Sequence, residues 1–290
     1  MSHVSLNRAI RRNVEIVKRR CKLCLLIYSI SNTSDTGNRE GTIPRRGGQD
    51  MNLIETQKEY YDQRWAREEF ANALQASRCA AIVGALARLQ LTKPRILDLG
   101  CGSGWLSAVL AQFGPTTGVD LSDHAINEAS KRYPWARFYA ADILEWKEGT
   151  QLGEFDIVVS QEVIEHVPDQ MKYLRIAANF LRDGGFLLLT TPNAHTFAAM
   201  EEQVRRSWSD QPLEDLLTPK QVIEMVRSLF NVLEATTIIP GNGVKGLYRI
   251  ASSFKLGHIL ESLGLKQVFD AACLRIGSGL HTFVLAKKVL

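Results

Sequence analysis

Between Gln161 and Asp169 the chain reads Gln-Glu-Val-Ile-Glu-His-Val-Pro-Asp, which gathers Glu162, Glu165, His166 and Asp169 where the apolar run Phe155–Ser160 ends. Side chains of these types suit three kinds of chemistry. A histidine titrates near neutral pH and can take a proton from a nucleophile. Two carboxylates and an imidazole can ligate a divalent cation such as Mg²⁺. Acids also favour the first turn of a helix, where they face the positive end of its dipole, and that reading needs no ligand at all. On these residues alone the three readings stay open.

A second stretch points to a nucleotide. Arg95-Ile-Leu-Asp-Leu-Gly-Cys-Gly-Ser-Gly104 places an apolar strand directly before a G-x-G-x-G turn and a helical pattern. Glycines allow the sharp turn and let a ligand approach the backbone, and the helix start beyond them offers free amide donors. Gly118-Val-Asp120 follows twenty residues after Gly100, the place of an acid that accepts ribose hydroxyls. Ala140-Ala-Asp142-Ile143 adds a carboxylate at the end of a third strand. The pattern lacks the third glycine of a dinucleotide fingerprint, since Trp105 stands there, and no Walker lysine follows the turn.

The elements that must position these residues alternate. A helical pattern runs from Leu53 through Tyr60-Tyr-Asp-Gln-Arg-Trp65 to about Arg88. Strands are expected at 95–99, 116–120, 136–140, 155–160 and 185–191, with helices at 104–113, 123–132 and 169–182. Such alternation implies βαβ units and a parallel, doubly wound α/β sheet, with ligands at the carboxyl ends of its strands. Beyond Pro192 the rhythm changes to an insertion at 194–217, a helix at 218–229 and two strands at 230–239 and 281–288. The segment 241–279 carries a helical apolar pattern through Val244, Leu247, Ile250, Phe254, Ile259, Leu263 and Val268, interspersed with Lys245, Arg249, Lys255 and Lys266. It is read as a cap over the acceptor pocket, with contact to a membrane surface as the other use of such a face. Asn193 and His195, just past the fifth strand, are candidates for orienting an acceptor or for a turn around Pro192.

Composition sets the frame. At 45% hydrophobic and 23% charged, the 290 residues are those of a globular protein, with no apolar run of the ~20 residues that span a bilayer. The formal charge of +4 hides an asymmetry: residues 1–50 carry +6 and the remainder −2, so the basic pI of 8.8 is no argument for nucleic-acid binding by the body. Residues 1–50 are read as a basic, disordered leader, and Met51 as a candidate native start that would omit it. Five scattered cysteines argue against a disulfide framework and for a reducing, cytoplasmic setting; Cys21-x-x-Cys24 has no second ligand pair.

In their order and spacing, LDLGCGSG, GVDLS, AADI, FDIVVSQEVIEHVPD and LRDGGFLLLTTPN resemble the class I S-adenosylmethionine-dependent methyltransferases over roughly residues 55–240. The flavour is that of the ubiquinone-biosynthesis O-methyltransferases and related small-molecule methyltransferases. The resemblance implies a Rossmann-like, seven-stranded sheet whose last strands pair antiparallel, with helical cap insertions on a domain spanning 51–290. It also implies cofactor contacts: Asp98, Gly100 and Gly102 at the methionine moiety, with Cys101 of the same turn also at the cofactor, Asp120 at the ribose, Leu121 and Ile143 around adenine with Asp142 near its amino group, and Gln161 beside the sulfonium. Arg78 matches an N-terminal cofactor contact, and Tyr61 and Trp65 a helix that closes over the ligand. His166 is the expected base, with Glu162 beside it, and Glu162, Glu165 and His166 match an E-x-x-E-H segment associated with a divalent cation.

The expected activity is therefore methyl transfer to a small, partly apolar molecule, most directly at a hydroxyl oxygen. Action on a protein or an RNA is the alternative. Against it, the fourth strand lacks the Asn/Asp-Pro-Pro-Tyr turn of base and glutamine amino methylation, and it lacks a Pro-Cys nucleophile. A catalytically dead cofactor-binding module finds no support in the intact turn and carboxylates.

Overall fold

The computed structural model describes residues 53–66, 72–208, 211–241, 249 and 253–289. The leader, with Cys21 and Cys24, and Val244, Lys245, Leu247 and Ile250 lie outside the described residues.

Strands β1 (Ile96–Leu99), β2 (Thr116–Asp120), β3 (Arg137–Ala140), β4 (Phe155–Gln161), β5 (Leu181–Pro192), β6 (Phe230–Pro240) and β7 (Gly279–Lys288) form one sheet in the order β3-β2-β1-β4-β5-β7-β6. The first five run parallel, and β7 is antiparallel to both neighbours, β5 and β6. The topology reverses between β1 and β4, which opens a crevice at the carboxyl ends of the strands.

Central strands are apolar on both sides because both faces are covered. Leu97, Leu99, Val158, Leu187 and Leu189 pack with α5 (Gln170–Phe180) and α8 (Pro219–Arg227), while Ile96, Ile157, Val159 and Leu188 pack with α2 (Ala73–Leu89) and α3 (Trp105–Leu110). Successive residues alternate between the two cores, as the period of two requires. Helix α4 (Asp123–Arg132) follows β2 and is capped by Ser122, whose hydroxyl accepts from the Ala125 amide. The remaining helices are α1 (Leu53–Trp65), α6 (Ala194–Ala199), α7 (Glu202–Trp208), α9 (Phe254–Ser262) and α10 (Lys266–Arg275).

Three sequence expectations change. The long helical pattern from Leu53 divides into α1 and α2, because Asn72 and Gln75 form a reciprocal capping box that starts a new helix. Strand β5 starts at Leu181, four residues early, and absorbs a register shift opposite Phe155–Ile157 where Gly184 takes φ +69°. The described part of the 241–279 cap does not wall the cavity discussed below. Ile259, Leu263 and Val268 are 55–67% exposed, so the apolar periodicity there records a face turned outward. No helix among the described residues is long and apolar enough to cross a membrane.

Candidate active site

A cavity of about 610 Å³ opens at the carboxyl ends of β1, β2 and β4, and all fifteen candidate residues from Tyr61 to His166 line it. Its floor is the glycine turn. Gly100, Gly102 and Gly104 take φ of +72°, +52° and +75°, where a side chain is strained. A Cβ on Gly100 would lie 2.3 Å from Val163, and one on Gly102 would lie 2.4 Å from the Trp65 ring. Cys101 turns its sulfur away, against Gly118 of β2, where an added Cβ would sit 2.8 Å from it. Gly118 is thus needed for sheet packing beside the turn, and burial pushes the Cys101 thiol up out of its reactive range.

The carboxylates at the strand ends are buried and tethered. Asp98 accepts from the Ser107 hydroxyl at 2.6 Å, and burial raises its pKa to about 7 against that bond. Asp120 accepts from the amides of Gly102 (2.8 Å) and Ser122 (3.0 Å), with burial again raising it. Asp142 accepts from the Leu144 amide at 2.9 Å, which turns the chain so that Ile143 is buried at the rim. Helix α1 covers the opening. Gln57 donates to the His166 carbonyl (2.6 Å), Tyr61 to Gln211 (3.0 Å), and Asp62 accepts from Ser122 and the His124 amide.

At the end of β4 the acid and imidazole groups separate into two sets. Glu162, at φ +57°, accepts from Thr190 (2.9 Å) and lies 2.8 Å from His281 Nδ1 and 3.7 Å from Arg78 Nη1. Burial pushes Glu162 up, but Arg78, His281 and the Thr190 bond outweigh it and hold the carboxyl well below its usual range. Glu165 is fully buried and accepts from Thr191 at 2.8 Å; burial and the Glu162 charge push its pKa well up, which favours the protonated form. His166 Nδ1 lies 2.8 Å from the Leu213 carbonyl. A carbonyl only accepts, so the proton sits on Nδ1 and Nε2 is the free base, 3.6 Å from Glu165 Oε1. Burial lowers the His166 pKa, which favours this neutral form.

This arrangement does not fit the cation reading of Glu162, Glu165 and His166. One carboxylate is neutralised by Arg78 and His281, the other is shifted by burial towards its protonated form, and among the described residues no group of three or more His, Cys, Asp or Glu is arranged to hold a metal ion. Asn193 and His195 are not on the cavity wall. Asn193 caps α6 and donates to the carbonyls of Gly277 and Gly279, tying β5 to β7, and His195 is exposed. Sequence reasoning missed Gln57, Phe197, Gln211 and His281, all on the wall. His281 lies 119 positions beyond Glu162, and its strand Gly279–Lys288 reads as ordinary β; the buried imidazole in an apolar run was the available signal.

Six buried side-chain atoms among the described residues lack a well-formed hydrogen bond, and five belong to residues lining this cavity: Trp65 Nε1, Arg78 Nε, Gln161 Oε1, Glu165 Oε1 and His281 Nδ1. Buried polar groups are normally paired, so their concentration here marks a place built for a polar ligand.

Comparison with known proteins agrees. A family model described as "Methyltransferase domain" matches residues 69–238, and the chain belongs to that family. It has the class I S-adenosylmethionine-dependent methyltransferase fold. Over 111 residues it is 37% identical to a protein named ubiquinone biosynthesis O-methyltransferase from Xanthomonas campestris pv. campestris (strain B100), a match covering 37% of this chain and 46% of that one. The chain thus spans about half the length of the curated relatives it matches. The N-methyltransferase NodS from Bradyrhizobium japonicum WM9, solved with S-adenosyl-L-homocysteine, superposes with a TM-score of 0.54 at 15% identity, covering 80% of this chain and 98% of NodS. Phosphoethanolamine N-methyltransferase 2 of Haemonchus contortus, solved with S-adenosyl-L-methionine, gives 0.51 at 20% identity, covering 80% and 56%. Both likenesses speak to the fold alone.

Proposed function

We propose that the chain transfers a methyl group from S-adenosylmethionine to a hydroxyl oxygen of a small, partly apolar molecule, without a metal ion. The observation that carries this is the cavity itself: a glycine turn, acids near the carboxyl ends of β1, β2 and β3, and unsatisfied polar atoms, closed by α1. Asp98 and the Gly100–Gly102 backbone hold the methionine end, Asp120 the ribose, Leu121 and Ile143 the adenine with Asp142 at its edge, and Gln161 the sulfonium side. When bound, the cofactor supplies an electrophilic methyl on sulfur, so the protein's part is alignment and exclusion of water. His166 takes the acceptor's proton at Nε2, its ring fixed by Leu213, while Glu165 beside it, in the protonated form that burial favours, donates to the acceptor oxygen. Glu162 is an anchor for Arg78 and His281 and too weak a base to share that step. The relatives' printed name, O-methyltransferase, supports oxygen as the target.

The test is calorimetric titration with S-adenosylhomocysteine followed by a methyl-transfer screen over phenols and alcohols. Asp120→Ala should weaken binding at least 10-fold, and turnover should survive EDTA. Unchanged affinity in Asp120→Ala would remove the cofactor from this cavity. Loss of turnover in EDTA, restored by Mg²⁺, would overturn the metal-free mechanism.

A further inference from the structure

His281 has no role in the mechanism above, yet it is a deeply buried titratable group on the wall, its side chain 3% exposed. It stands near the start of β7, opposite Pro192 of β5 and Ile238 of β6, so strand pairing on both sides fixes its backbone. Its ring bridges two charged residues. Nε2 lies 3.3 Å from Arg78 Nη1, and Nδ1 lies 2.8 Å from Glu162 Oε2, an ion-pair distance off the line of a good hydrogen bond. An arginine only donates, so Nε2 accepts and the ring proton sits on Nδ1, facing the carboxylate. The order Arg78–His281–Glu162 is therefore directional, and Thr190 closes its far end by donating to Glu162 Oε1.

The arginine is left underused. Arg78 is 9% exposed, its Nε has no partner, and its approach to Glu162 is 3.7 Å, too long for the paired fork a guanidinium makes with a carboxylate. A buried guanidinium aimed into a cavity with donors free is a receptor for a planar anion. Glu162 supplies countercharge without occupying the fork, and φ +57° on that residue is the backbone strain that puts it there.

We propose that His281 is a positioning residue that, together with Glu162, holds Arg78 as the receptor for a ligand carboxylate in this cavity. The inference rests on the cavity being the ligand site of the proposed reaction. The carboxylate comes either from the amino-acid end of the cofactor or from the acceptor, and the same geometry serves both.

Two pairs of probes separate these sources. S-adenosylhomocysteine carries the carboxylate and methylthioadenosine does not; 3,4-dihydroxybenzoate carries one and catechol does not. All four are titrated against wild type, His281→Phe, His281→Asn and His281→Gln, each checked for an unchanged melting profile. His281→Phe and His281→Asn should weaken the carboxylate-bearing member of one pair by roughly 10-fold or more and leave its neutral partner within about 2-fold. A loss confined to S-adenosylhomocysteine assigns the carboxylate to the cofactor, and one confined to dihydroxybenzoate assigns it to the acceptor. His281→Gln, whose side-chain oxygen can replace Nε2 as acceptor for Arg78, should recover most of the affinity. Asparagine reaches only the Nδ1 position and should not, a contrast that a merely space-filling role would not produce. Wild-type affinity for all four probes in both impaired variants overturns the proposal, as does equal weakening within each pair. A wild type that binds neither adenosine ligand defeats the cofactor reading instead, and the benzoate pair then decides the inference alone.

Discussion

Replacing Gly102 by alanine should break the contact between the glycine turn and the helix that covers it. At φ +52° an alanine carries about 1–2 kcal/mol of left-handed strain. Its Cβ would stand 2.4, 2.7 and 3.0 Å from Cζ2, Cη2 and Cε2 of Trp65, distances no real contact tolerates, so the indole must leave. Withdrawing about half of the ~200 Å² that such a ring covers loses roughly 2.5 kcal/mol at about 25 cal/mol/Å². The total is ~4 kcal/mol, a melting shift on the order of 10 °C for a domain of this size. The decisive assay is a double-mutant cycle by urea unfolding, followed by circular dichroism. With Trp65→Ala already in place the steric part vanishes, and Gly102→Ala should lose only the ~1–2 kcal/mol of backbone strain. Penalties that add to within about 0.5 kcal/mol would show that Trp65 does not rest on Gly102, and would take with it the account of α1 as the cover of the cavity.

Two further outcomes concern pH. His166 has a pKa lowered from 6.5 by burial, so its base form persists into mildly acid solution. Turnover should therefore fall only below pH 6.5, and His166→Ala should lower kcat by about 10²–10⁴-fold with S-adenosylhomocysteine affinity nearly unchanged; an unaltered kcat would dismiss the base. The same shift makes native His166 bind its proton less readily than in the unfolded chain, so its contribution to stability is lost as pH drops through and below 6.5. Asp98 runs the opposite way: its pKa rises from 3.8 to about 7, so the folded chain holds a proton the unfolded chain has released. Stability then falls as pH rises across that window, by at most ~4 kcal/mol. Asp98→Asn should raise the melting temperature at pH 8 and much less at pH 4, while weakening cofactor binding; an equal effect at both pH values would refute the assignment.

The strand-turn-helix from Ile96 to Leu110, the acids Asp120 and Asp142, and the succession of the first five strands along the chain were legible because each is a local pattern. A glycine at positive φ, or an acid at a strand's last residue, declares itself within ten residues. What was hidden depends on contacts between distant segments. His281 meets Glu162 and Arg78 because β7 inserts between β5 and β6 and runs against both, a pairing that nothing within the strand announces. Gln57 reaches the His166 carbonyl over 109 positions and Tyr61 reaches Gln211 over 150. The segment 241–279 shows the converse: helical apolar spacing at Ile259, Leu263 and Val268 establishes a face, but not whether that face turns inward.

The pair Glu162 and Glu165 shows why spacing alone misassigns a cluster. On one continuous helix, residues i and i+3 would stand on the same side, and E-x-x-E-H would bring two carboxylates to one ion. Here Glu162 still belongs to the strand end, at φ +57°, and only Ile164–His166 forms a single 3₁₀ turn. The break in backbone sends Glu162 towards β7 and α2, where Arg78 and His281 keep it ionised. It sends Glu165 towards Thr191 and the apolar core around Ile164, where burial and the Glu162 charge outweigh the pull of Arg78 and push its pKa up. Two acids three residues apart thus shift in opposite directions, one held ionised as the anchor of an arginine and the other favoured in a protonated form that can donate a hydrogen bond beside a free imidazole nitrogen. A pair of carboxyl groups pushed apart in this way is poised for proton management at a reacting oxygen and is poorly suited to sharing a metal.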